Sequence, residues 1–186
     1  MDRPVIQSGI GRLLVASLHQ SIAEMLPERL EFYEEWLKPS ELRDGKMSRA
    51  PFGAVLSLLR REGAAYDAVT TRADEYAAEW WVADVSAVRN RLIRRAPAWA
   101  RGHLALRAAR TLTARTYRGS EVTAQWRRGE GRLSMEYSLF CDVRDRTTSP
   151  LCGFYASALR GLLVALRVEA DVAVTSCHAV DGGRVL

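Results

Sequence analysis

The hydrophobic repeat of this chain changes period once, and that change limits the folds open to it. Up to about Arg115, apolar residues recur at intervals of three and four, the spacing of one face of a helix. Ile10, Leu14, Leu18, Ile22 and Met25 make the first stripe, and Leu30, Tyr33, Trp36 and Leu37 the second. Helices are also expected over about Arg49–Glu62, through Tyr66, Val69, Ala73, Tyr76 and Trp80, over Val85, Val88 and Leu92, and from about Ala98 to Arg115. The period then becomes two: Val122, Ala124 and Trp126 alternate with polar residues. Leu133, Met135, Tyr137, Leu139 and Cys141 do the same after Arg128-Gly-Glu-Gly131, which predicts a hairpin. Ser149-Pro150 is suited to start one more helix, carrying Leu151, Phe154, Tyr155, Ala158, Leu159, Leu162 and Leu166. Val172, Val174 and Cys177 fit a final strand ending at Asp181-Gly-Gly. The expected class is α+β in a single domain over 1–186. N-terminal helices (1–115) pack on a small antiparallel sheet, with a C-terminal hairpin-helix-strand unit over 116–186.

The length suits one domain, and 48% hydrophobic residues with five Trp suit a packed core. No apolar run reaches transmembrane length, and Met1-Asp-Arg-Pro lacks a secretory h-region. Three cysteines without framework spacing suit a reducing compartment, so a cytoplasmic location is expected. Charge is segregated. Between Arg89 and Arg132, 12 arginines face only Glu121 and Glu130, whereas Glu24, Glu28, Glu31, Glu34, Glu35, Glu41 and Asp44 crowd the N-terminal part. This asymmetry can pair the two regions within one fold, pair subunits head to tail, or attract an anion. Nucleic acid is not the expected anion, because helix-turn-helix, zinc-finger and RNA-binding motifs are absent.

The order Cys152-Gly-Phe-Tyr-Ala-Ser-Ala-Leu-Arg-Gly-Leu-Leu, then Val174-Thr-Ser-Cys177 and a Gly-containing turn, resembles the 4-vinyl-reductase domain. That family is related to the TRAPP transport-particle subunits and to the haem nitric-oxide-binding domains. The resemblance covers the C-terminal 70 or so residues and implies a TRAPP-like ligand-binding fold. It also implies a zinc in phenol-sensing members, held by three cysteines and a glutamate. Those positions fall here on Cys152, Val174, Cys177 and Val185, so only two thiols remain and no metal site is expected. Cys152 and Cys177 read as small buried hydrophobes, and Cys141 as a packed residue at a strand end. The Tyr-x-Ser-x-Arg motif of the haem domains is absent, and His19, His103 and His178 fall in separate elements.

What remains is a pocket. Trp80, Trp99, Tyr117, Trp126, Tyr137, Phe154 and Tyr155 are the candidates to line one, as are Trp81 and Phe140. Arg107, Arg110 and Arg118 are the candidates to hold ligand carboxylates. No nicotinamide or flavin fingerprint accompanies them, so no cofactor is expected beyond a possible tetrapyrrole or aromatic ligand. The expected function is a small-molecule-binding protein that holds or delivers a hydrophobic ligand, with a homodimer as its assembly. The resemblance leaves two alternatives: a dimeric TRAPP-type assembly module, and a pigment-biosynthesis reductase component borrowing a partner's cofactor, with Cys141, Tyr137 or Glu136 as proton donor.

Overall fold

The computed structural model describes residues 10–37, 47–84, 87–116, 119–141 and 150–181, with the side chains of 87–89 and of Asp181 left aside. Helices dominate. They are α1 (Arg12–Met25), α2 (Leu30–Leu37, after a 3-10 turn at Pro27–Arg29), α3 (Arg49–Arg61), α4 (Ala64–Asp84), α5 (Ala87–Arg95) and α6 (Ala98–Thr116). The hairpin follows as β1 (Glu121–Arg127) and β2 (Glu130–Glu136), then α7 (Gly153–Ala165) and the single turn α8 (His178–Asp181). The α+β class and the helix series follow the periodicity, including the stop of α3 before Gly63, whose φ of 61° is the left-handed value a helix-terminating glycine supplies.

Helix α4 is the axis of the molecule, packed against α1 on one side and α7 on the other. Two-sided burial explains its composition. Val69 and Ala73 enter the core shared with α1, α2 and α3, whereas Trp81 enters a second core with Leu112, Ala158, Leu162 and Leu166. Small residues let the axes approach. A Cβ at Gly161 of α7 would stand 3.0 Å from the Ala78 methyl of α4.

The hairpin packs on α6 rather than across the whole helical layer. Its strands pair antiparallel from Glu121↔Glu136 to Arg127↔Glu130. Arg128 (φ 50°) and Gly129 (φ 86°) make the two-residue turn, both left-handed as a turn of this length requires. Trp126 packs against Gly102 of α6, where any Cβ would meet its ring, at 2.9 Å from Cζ2.

Several expectations change. Strand β2 ends at Glu136, because Tyr137 takes a φ of 61° and turns the chain, so Leu139, Phe140 and Cys141 form a buried turn instead of a strand end. The final strand is not formed. Residues 168–177 are unpaired in any sheet of the described residues, because the two-stranded hairpin lies elsewhere and offers them no edge. Helix α7 begins at Gly153 with Cys152 as its N-cap, three residues later than Ser149-Pro150 suggests. On α5, Ile93 is the core residue and Leu92 is 66% exposed, a one-residue rotation of the expected stripe.

Candidate thiolate centre and surface groove

The turn after β2, the N-cap of α7 and the residue before α8 converge on one point inside the protein. Each carries a cysteine. Cys141 Sγ lies 2.8 Å from Cys152 Sγ and 3.5 Å from Cys177 Sγ, and the last two are 3.3 Å apart. None of the three is in a disulfide; Cys141 and Cys177 are buried and Cys152 is half-buried. Local packing fixes each one. Phe140 stacks on Phe154 with ring centroids 4.6 Å apart and meets Tyr155 edge-on at 5.5 Å. Arg60 of α3 donates through Nη2 to the Phe140 carbonyl at 2.7 Å, pinning the turn that holds Cys141. Val180 N–H donates to the Cys177 carbonyl at 2.9 Å, closing the turn that begins α8.

The thiols share one negative charge readily. The hydrogen bond from Cys152, helped by Ser138, Cys177 and the Ala179 amide, draws the Cys141 thiol down to about 6 against the opposing effect of burial. Cys152 is pushed up, first by donating to Cys141 and then by burial. Two hydroxyls, Ser138 Oγ and Tyr155 OH, are enclosed beside the cluster. Both lie close enough to act on the group: Ser138 on Cys141, and the cysteines on Tyr155, whose hydroxyl burial pushes upward.

This set fits a thiophilic metal ion. Tetrahedral zinc with Zn–S of about 2.3 Å needs sulfurs about 3.8 Å apart, so the triangle must widen by roughly 0.3–1.0 Å. Three turn and cap positions can yield by that much more easily than three positions within rigid elements. No described histidine or carboxylate joins the three sulfurs, and exposed His178 stays outside the group. The position of Val185 lies outside the described residues. Cys141, read from the sequence as a packed strand-end residue, supplies the third thiol. Its neighbours are 11 and 36 residues away, so no local spacing reveals it.

Of the described aromatic candidates, Phe140, Phe154 and Tyr155 come together and the others are dispersed. Phe154 is buried beside half-buried Tyr155, next to Phe140. Trp126 covers α6, Trp80 pairs with Tyr76 at 5.3 Å, and Trp99 and Tyr137 are exposed. The space left beside Phe154 and Tyr155, bounded also by Leu112, Thr116 and Ala158, is about 10 Å³, room for about one water. Tyr117 and Arg118 lie outside the described residues. Arg107 and Arg110 do meet, in an open groove of about 680 Å³ between α5 and α6 that also takes in Leu92, Leu104, Ala114 and Arg115.

No helix among the described residues is long and apolar enough to cross a membrane. No family model matches the chain, and neither the curated proteins nor the solved structures contain one significantly similar to it.

Proposed function

We propose that this chain is a metal-thiolate protein whose three-cysteine cluster takes one thiophilic cation of the zinc class. The observation that carries the proposal is the convergence of three Sγ atoms, from three separate segments, within 4.8 Å of one another. Cys141, Cys152 and Cys177 would hold the ion, which would supply strong bonds between the β2–α7 turn, the start of α7 and the C-terminal segment. A Cys141 thiol drawn down to about 6 readies the group for metal at neutral pH, since the bound form of cysteine is the thiolate. The test is titration of the reduced chain with Co²⁺ and then Zn²⁺, read by thiolate-to-metal absorption and by metal analysis. One metal per chain, displaced by Zn²⁺ and protecting all three thiols from alkylation, is the expected result. No metal-dependent protection, with a Cys141–Cys152 disulfide forming in air instead, would replace the reading with a redox pair.

Assembly is the second reading, in preference to carriage of a hydrophobic ligand. It is favoured by the filled space at Phe154 and Tyr155 together with an exposed apolar stripe on α2, where Phe32 is 43% and Trp36 40% exposed. The tetrapyrrole or aromatic-ligand reading relies on open grooves for its site. An absorption spectrum and native mass spectrum of the purified chain test it, with visible bands and excess mass as the outcome that would restore it. The borrowed-cofactor reductase gains nothing from geometry: Tyr137 is exposed, and Cys141 belongs to the thiolate cluster.

A further inference from the structure

Helix α2 and the 3-10 turn before it carry a stripe that the described residues leave uncovered. Glu28, Glu31, Phe32, Glu35 and Trp36 are exposed at helical spacings of three and four, while Tyr33 and Leu37 on the opposite side are buried. The inner side fixes the helix, and the outer side is both acidic and aromatic. Among the described residues, none of Glu28, Glu31 and Glu35 makes an ion pair; the acids that do are Glu24, Glu34, Glu75 and Asp84.

The α5–α6 groove has the opposite character. Leu92 and Leu104 give it apolar walls, and Arg107, Arg110 and Arg115 stand along its α6 side. Arg110 is tethered through Nε to the Val122 carbonyl at 3.0 Å, and Arg115 reaches the exposed Asp84 at 3.2 Å. Arg107 makes no ion pair among the described residues. From Arg107 to Arg115 the helix rises about 12 Å, close to the roughly 10 Å separating Glu28 from Glu35.

We infer that the groove receives the α2 stripe of a second copy of this chain. Phe32 and Trp36 lie between Leu92 and Leu104, and Glu28, Glu31 and Glu35 face Arg107, Arg110 and Arg115. This is helix-in-groove recognition, with apolar anchors at i and i+4 and flanking charges setting register and orientation. The inference rests on the assembly reading above and names its surface. It also accounts for the charge segregation of the sequence, because the acidic N-terminal and basic central regions have no ion pair between α2 and α6 within one chain among the described residues. Ridge and groove are different surfaces, so two copies close as a two-fold dimer where each ridge fills the other's groove, and otherwise the contact propagates into a ring or an open chain.

Sedimentation velocity and light scattering on the full chain, over a concentration series at low and high salt, provide the test. The wild-type chain should self-associate, with affinity falling about tenfold or more as salt screens the exposed charges. The ridge variant Glu31→Arg/Glu35→Arg and the groove variant Arg107→Glu should each be monomeric with unchanged melting, since all three side chains are exposed. Mixed together, they should associate again, because the native ridge of one variant fits the native groove of the other and the two charge-reversed surfaces fit each other. A chain carrying all three substitutions should regain association. A discrete dimer indifferent to salt and to both variants would overturn this interface while leaving the assembly reading standing. A monomer at every concentration would overturn both. A monomer that co-purifies with a small carboxylate, lost in Arg107→Glu, would give the groove to a ligand instead.

Discussion

Asp74 sits on α4 facing α7, 1% exposed, and neither carboxylate oxygen has a partner in hydrogen-bond geometry. Burial pushes its carboxyl up to about 10, while Ser157 and Arg160 on α7 pull back only weakly and neighbouring Glu75 adds to the rise. The acid is therefore neutral in the folded protein at pH 7. The unfolded chain releases the same proton near pH 4, so between about 4 and 10 the native state binds one more proton than the unfolded state. Stability from this group is complete below about pH 4 and is lost as pH rises towards 10, at about 1.4 kcal/mol per pH unit. From pH 6 to pH 8 the loss is about 3 kcal/mol. Asp74→Asn removes the titration and keeps the shape. Urea unfolding of both chains at pH 6, 7 and 8 should show the variant gaining about 3 kcal/mol relative to wild type across that interval, whatever its offset at pH 6. Cys141 contributes a slope of opposite sign between about 6 and 9, but both chains carry it and the difference removes it. If the gap between the two chains stays constant within about 0.5 kcal/mol, Asp74 is ionised or paired, and the assignment of a neutral buried acid is wrong.

In the metal-loaded chain, Cys152→Ser should weaken Zn²⁺ by about a hundredfold or more, measured by competition with a chromophoric chelator; an unchanged affinity would place the ion elsewhere. In the metal-free chain, thiolate absorption should rise with a midpoint near pH 6, and Cys141→Ser should remove that step. Because this pKa is depressed on folding, its stabilisation is present at alkaline pH and is lost as pH falls through about 6. Gly102→Ala would ordinarily stabilise a helix, but here the new methyl runs into Trp126, so a loss of about 1–3 kcal/mol is expected in thermal unfolding. Trp126→Leu in the same chain should relieve most of that loss; no relief would show that the ring does not cause it.

Periodicity alone determined the helix series, the hairpin and the α+β class, because burying one face of a regular element imposes its repeat on the sequence at short range. The repeat also named most of the core, including Leu14, Leu18, Val69 and Leu162. It misread the segments where tertiary contacts decide. The alternating run through Cys141 looked like strand, yet Phe140 is drawn against Phe154 and Arg60 takes its carbonyl, so the chain turns. Val172 and Val174 alternate like a strand but pair with no sheet edge among the described residues. The aromatic residues suggested a pocket, but their spacing carries no information about which of them face one another; the fold spreads them between core, hairpin and surface. The cysteines are the clearest case. Their identities were visible, and the resemblance drew attention to Cys152 and Cys177, but a thiol cluster depends on where three chain segments meet. Folding back the turn after β2 against the starts of α7 and α8 sets that meeting point, and only the tertiary structure decided that Cys141 belongs there.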